Sequence, residues 1–183
     1  MGKTTTCVNM AAYIAAEGKK VLLVDMDPQG NATTGLGFSK SSLEQSIYSV
    51  LIDDEKALEN IMPTEVENLD LLPSNIDLAG AEVELVYKKN RERVLKNALE
   101  EIRSRYDYIL IDCPPSLGLL TINALACADS VIIPIQSEYY ALEGLSQLMN
   151  SISLVKQHLN AGLEVDGVVL TMYDSRSLIS KQI

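Results

Sequence analysis

Four short stretches of this 183-residue chain carry residues whose types and spacing could do chemistry: "GKTT" at 2–5, "DMDPQGN" at 25–31, "DCPPSLG" at 112–118 and "TMYDSR" at 171–176. A glycine, a lysine and a threonine in immediate succession close the pattern G-x-x-x-x-G-K-[ST], a loop whose backbone cradles phosphates. At a helix amino terminus the free N–H groups favour an anion. Lys3 can reach terminal phosphates and the Thr4 hydroxyl can ligate Mg²⁺. Four residues of this kind also start ordinary helices, with threonines as caps. The second half of the signal is Asp112, which ends the apolar stretch "YDYILID" where a carboxylate would face the same magnesium. Asp25 and Asp27 repeat the arrangement after "KVLLV". Taken alone they would read as a strand-end turn with helix-capping acids.

Positioning such groups requires strand ends and helix starts that converge. Strand-like and helix-like segments alternate along the chain, the pattern of a parallel sheet covered on both faces. Val8, Ala11, Ala12 and Ala15 predict a helix that Gly18 stops, and "KVLLVDMD" predicts a buried parallel strand. The segment "SSLEQSIYSVLI" starts with Ser41 and Glu44 at the spacing of a capping box, which predicts a helix there. A strand at "LDLLP", a long helical region from about 77 to 105 and the strand "YDYILID" follow. The helix "SLGLLTINALACA", the strand "SVIIPI", an amphipathic helix over about 145–159 and the strand "GVVLTMYD" complete the series. Ligands of such sheets sit outside the carboxyl ends of the strands, and "DMDPQGN", "DCPPSLG", "PIQSEYY" and "TMYDSR" each follow a predicted strand.

Composition narrows the classes. With 47% hydrophobic residues the chain can bury one sizeable core, so one domain over 1–183 is expected. The longest apolar runs are too short to cross a bilayer, and no apolar segment follows Lys3 as a secretory signal would require. Cys7, Cys113 and Cys127 form no C-x-x-C pair, which fits a reducing cytoplasm. A formal charge of −10 repels polyanions overall, so any nucleic-acid contact needs a local basic patch. The run "KKNRER" at 88–93 reads as a solvated helix face, and the lone His158 as a solvent-facing residue near a helix end.

Taken together, "GKTTTCVNMAAYIAAEGKKVLLVDMDPQGNATTGLG", "YDYILIDCPPSLGLLTINALACAD", "VIIPIQSEYYALEGLSQL" and "GVVLTMYDSRS" resemble the ParA/Soj family of partition ATPases, deviant-Walker P-loop proteins. The resemblance runs over essentially the whole chain. It implies a P-loop NTPase-like α/β fold with a mostly parallel sheet and helices on both faces. Family members open the loop with K-G-G-V-G-K-T-T after a first β-strand. The expectation is therefore a chain lacking that first strand and the start of its P-loop, shortened at both ends and impaired in ATP binding.

The same resemblance assigns roles. Gly2, Lys3, Thr4 and Thr5 would hold the phosphates of ATP. Thr4, Asp112 and, as a neighbour, Asp25 would lie about the Mg²⁺. Lys3, Asp27 and Asp112 would act in hydrolysis, with Asp27 on the attacking water. Residues 114–118 match the turn that senses the γ-phosphate, Met172 and Tyr173 fall near the adenine, and Arg176 matches an arginine implicated in nonspecific DNA binding. The implied partners are a second copy of the chain, DNA and a ParB-like centromere-binding protein, with a cytoplasmic, nucleoid-associated location and no membrane. Alternatives are a MinD-like division-site ATPase and a noncatalytic interaction module.

Overall fold

The computed structural model describes residues 2–41, 43–136 and 141–172. Helix α1 (Lys3–Ala16) leads into β1 (Val21–Asp25) through a turn in which Gly18 takes a left-handed φ of 80°, as the sequence predicts. A short helix α2 (Asn31–Gly35) and then α3 (Ile47–Ile52) follow. The cap of α3 is Ser46, whose side chain accepts a hydrogen bond from the Ser49 amide at 3.4 Å. The Ser41–Glu44 capping box expected from sequence is therefore corrected: both residues precede the helix, and the closer serine takes the cap.

Two further strands come next, β2 (Met62–Pro63) and β3 (Leu69–Leu72). The predicted long helix is broken into α4 (Leu78–Leu85) and α5 (Val94–Glu100). Asn90 sits between them with a left-handed φ of 52°, which no helix can carry through. The Arg91 guanidinium donates to the Val86 carbonyl at 3.2 Å, satisfying a group the break exposes. The "KKNRER" run thus lies mostly in this turn, with Lys88 paired to Asp54 at 2.6 Å and Arg91 to Glu92 at 3.0 Å. Beyond it lie β4 (Tyr108–Asp112), α6 (Leu119–Cys127), β5 (Ser130–Gln136), α7 (Ala141–His158) and β6 (Glu164–Thr171).

Strand order is β2-β3-β1-β4, with β1 parallel to both neighbours and β2 antiparallel at the edge. The central strand β1 is buried at all five positions, so its side chains feed two cores by alternation. Leu22 and Val24 pack with α3, α4, α5 and α6 residues such as Leu51, Leu85, Leu95 and Leu120 on one face. Val21 and Leu23 pack with Ala11 and Ala15 of α1 and Ala32 of α2 on the other. Helices on both faces are borne out.

The sheet differs from a single continuous one. Among the described residues β5 pairs only with β6, in parallel, and β4 pairs only with β1. One edge of β4 and one of β5 are therefore unpaired, although α6 joins these two strands in sequence. A third core gathers Leu125, Ile133, Ile152, Val155 and Leu163 around this second sheet. Pro134 is tolerated within β5 because only one of its edges carries a ladder.

Candidate functional site

Parallel pairing in register is what assembles the site. Asp25 of β1 stands opposite Asp112 of β4 at the carboxyl ends of both strands. The amide of Met26 then donates to the Asp112 carbonyl at 2.8 Å, extending the ladder past the acids. Helix α1 packs on β1 and on β4.

Gly2 precedes α1 with a left-handed φ of 98° and no side chain caps the helix. A Cβ at Gly2 would lie 2.9 Å from Thr171 Cγ2, so glycine is required here for both conformation and space. The end of β6 therefore rests against the amino end of α1. Met172, the next residue, is 76% exposed, and Gln136 Nε2 donates to its Sδ at 2.8 Å. The candidate adenine-side methionine thus lies beside the candidate phosphate site. Tyr173 and Arg176 lie outside the described residues.

Asp112 is 2% exposed, and the Thr4 hydroxyl acts on its carboxylate, favouring the charged form. Its Oδ2 is buried with no hydrogen-bond partner among the described residues. Burial pushes the Asp112 pKa up to about 6, and the charges of Asp25 and Asp27 push the same way, while the Thr4 hydroxyl and Lys3 oppose the rise. Two anionic neighbours and an unsatisfied oxygen make a site short of positive charge. A hydroxyl and carboxylates are hard oxygen donors, so the residues present fit Mg²⁺, which is commonly held by one or two protein ligands and completed by water and phosphate. No group of three or more His, Cys, Asp or Glu suited to a metal occurs among the described residues.

Asp25 is differently employed. Its Oδ1 accepts the Asp27 amide at 3.2 Å, and its Oδ2 accepts both the Thr33 amide at 2.8 Å and the Thr33 hydroxyl at 2.7 Å. Burial nevertheless raises its pKa, against the lowering effect of these donors. Both oxygens brace the loop that follows β1. Asp27 Oδ1 accepts the Gln29 amide at 2.9 Å, and the Asp27 carbonyl accepts the Gly30 amide at 2.8 Å and the Ser74 hydroxyl at 2.8 Å. Lys3, half-buried, acts electrostatically on both Asp112 and Cys113, placing its charge among these groups. Thr5 is exposed, and its carbonyl accepts from Asn9 at 2.7 Å.

Residues 113–118 carry the chain from Asp112 to α6. A Cβ at Gly118 would lie 1.9 Å from Glu82 Oε1, so the Glu82 carboxylate of α4 lies directly against the glycine. The turn is thereby held against α4. Cys113 is no nucleophile at neutral pH, since burial first and the Asp112 charge second push its thiol up to about 12. Sequence reasoning missed Thr33, Ser74 and Glu82. Ser74 and Glu82 are far in the chain from Asp27 and Gly118, and Thr33 meets Asp25 only through the fold-back of α2, so no local pattern marks them.

An uncapped helix start, a lysine and a threonine that both act on a strand-end aspartate, and a flanking parallel sheet define an α/β fold of the P-loop NTPase type. A family model described as an AAA domain matches residues 1–165. The sporulation initiation inhibitor protein Soj of Bacillus subtilis is 59% identical over 183 residues, all of this chain and 72% of that protein. The chromosome partitioning protein ParA of Myxococcus xanthus is 56% identical over 183 residues, 65% of its length. A crystal structure of cobyrinic acid a,c-diamide synthase from Mycobacterium smegmatis with bound ADP and magnesium superposes with a TM-score of 0.94. It is 42% identical, with 99% of this chain and 74% of that one covered. The chain belongs to the ParA/Soj family of partition ATPases. It spans between 65% and 72% of the length of the two curated relatives named here.

Proposed function

We propose that this chain carries the Mg-ATP site of a protein in which hydrolysis of the nucleotide drives a partition switch. The observation that carries the reading is the buried Asp112 Oδ2, without a hydrogen-bond partner among the described residues. Its carboxylate stands opposite Asp25 and feels both Lys3 and the Thr4 hydroxyl from the first turn of α1. Mg²⁺, when bound, supplies positive charge to the phosphates and to the developing negative charge on the leaving group. The protein's own groups do the rest. The helix amino end and Lys3 hold the terminal phosphates. Asp27, anchored through Oδ1, orients a water in line with the γ-phosphorus and accepts its proton. The water oxygen bonds to that phosphorus as the bond to the β-γ bridging oxygen breaks, giving ADP and inorganic phosphate. Turn 113–118 follows Asp112 directly and is placed to respond to the phosphate.

By family, ATP binding favours a dimer that holds DNA without sequence preference, and a ParB-like partner stimulates hydrolysis and release. Against the chain's charge of −10, DNA binding requires cations gathered on one face of the dimer. Arg176 is the candidate, contributing one contact per subunit.

In the full-length protein, Arg176→Glu is expected to abolish Mg-ATP-dependent binding to duplexes of unrelated sequence while leaving ATP affinity unchanged. Binding by the parent should fall steeply with salt, with a log–log slope of about −0.9 per phosphate contact. Gel shifts across a salt series check both. Salt-insensitive binding, or a variant that binds as well as its parent, contradicts the assignment.

A further inference from the structure

We infer that Thr33 and Ser74 are positioning residues for Asp27, forming a buried relay that fixes where its carboxylate points. This rests on the reading of Asp27 given above. Asp25, Thr33 and Ser74 are all fully buried, and Asp27 is 7% exposed at their edge. The Thr33 hydroxyl donates to Asp25 Oδ2 at 2.7 Å and accepts the Ser74 amide at 2.9 Å. The Ser74 hydroxyl in turn donates to the Asp27 carbonyl at 2.8 Å, while Asp25 Oδ1 accepts the Asp27 amide at 3.2 Å. Both backbone polar groups of Asp27 are therefore tied to one closed circuit, which runs from β1 through α2 to the end of β3 and back.

A valine at 33 would fit the volume yet could neither donate to Asp25 nor accept from Ser74. Serine would do both. The circuit uses the Thr33 hydroxyl as donor and acceptor at once and the Ser74 hydroxyl as donor to Asp27, so the direction of each link is determined. A mere packing role for threonine in α2 would need only its methyl group. Misplacement of a reacting group by about 1 Å lowers turnover by about 100-fold without necessarily touching substrate affinity. The relay can thus act on hydrolysis while Gly2, Lys3 and Thr4 continue to hold the nucleotide.

The test is steady-state ATPase kinetics and Mg-ATP calorimetry on the full-length protein. Thr33→Val should lower kcat by about 10- to 100-fold with KM and Kd within about threefold of the parent. Thr33→Ser should restore kcat. Ser74→Ala, which leaves Asp25 and Thr33 joined, should lower kcat in the same way and carries the test if Thr33→Val does not fold. In an Asp27→Ala background neither substitution should reduce turnover further, because the relay acts through Asp27. Parental kcat in both single variants, parallel losses of affinity and kcat, or an undiminished effect in the Asp27→Ala background would overturn the inference. Asp27→Ala retaining parental turnover would instead defeat the assignment of Asp27 itself.

Discussion

Asp27→Ala in the full-length protein is expected to bind Mg-ATP within about threefold of the parent and to turn it over about 100- to 1000-fold more slowly, the scale of a lost general base. Such a fall corresponds to about 2.7–4 kcal/mol of transition-state stabilisation. The hydrogen bonds of Asp27 go to the loop that follows β1 and to Ser74: its Oδ1 accepts the Gln29 amide and its backbone is tied to Asp25 and Ser74. Asp27→Asn separates anchoring from proton transfer. The amide oxygen can still accept from Gln29, yet the side chain can no longer take a proton from water. Equal losses in the two variants assign the effect to the carboxylate's chemistry. Phosphate release at saturating ATP provides the measurement, and parental turnover in either variant contradicts the role.

Lys3→Ala is expected to act on the opposite step, weakening Mg-ATP binding by about 10- to 100-fold, as loss of a hydrogen bond to a charged group of ~1.5–3 kcal/mol implies. Two effects add. The terminal phosphates lose a cation, and Asp112 loses a charge that lowers its pKa. With Asp112 already raised to about 6, the variant should hold its proton to higher pH, so ATP binding should demand more Mg²⁺ near neutrality than in the parent. Calorimetry at two magnesium concentrations checks both parts. Unchanged affinity in Lys3→Ala would remove Lys3 from the phosphate site.

What the sequence made legible follows from local physics. Lys3 and Thr4 at a helix start and Asp112 at the end of an apolar strand each carry their own signal, and parallel pairing brings such ends together. Long-range bracing is illegible for the opposite reason. Thr33 reaches Asp25 only because α2 folds back over the end of β1, and Ser74 reaches Thr33 only through the register of β3 on β1. Asn90 could have continued a helix; its left-handed φ emerges from the turn that packs α5 against α6 and α3. Ser46 outcompetes Ser41 as a cap because the Ile47 amide is already fixed on the Pro73 carbonyl, at 2.8 Å. The edges of β4 and β5 that find no partner among the described residues show how far pattern reading extends. Alternation identifies each strand, whereas ladder partners depend on the whole assembly.

The union of Thr4 and Asp112 around one magnesium is the centre of this account, and ATP titration with and without Mg²⁺ addresses it most directly. In the full-length parent, Mg²⁺ should tighten ATP binding by about tenfold or more, ~1.4 kcal/mol at least. In Asp112→Asn, which keeps the shape but replaces the orphaned carboxylate by an amide, the same Mg²⁺ should change ATP affinity by less than about twofold. An Asp112→Asn protein whose ATP affinity responds to Mg²⁺ as fully as its parent would show that the metal sits elsewhere.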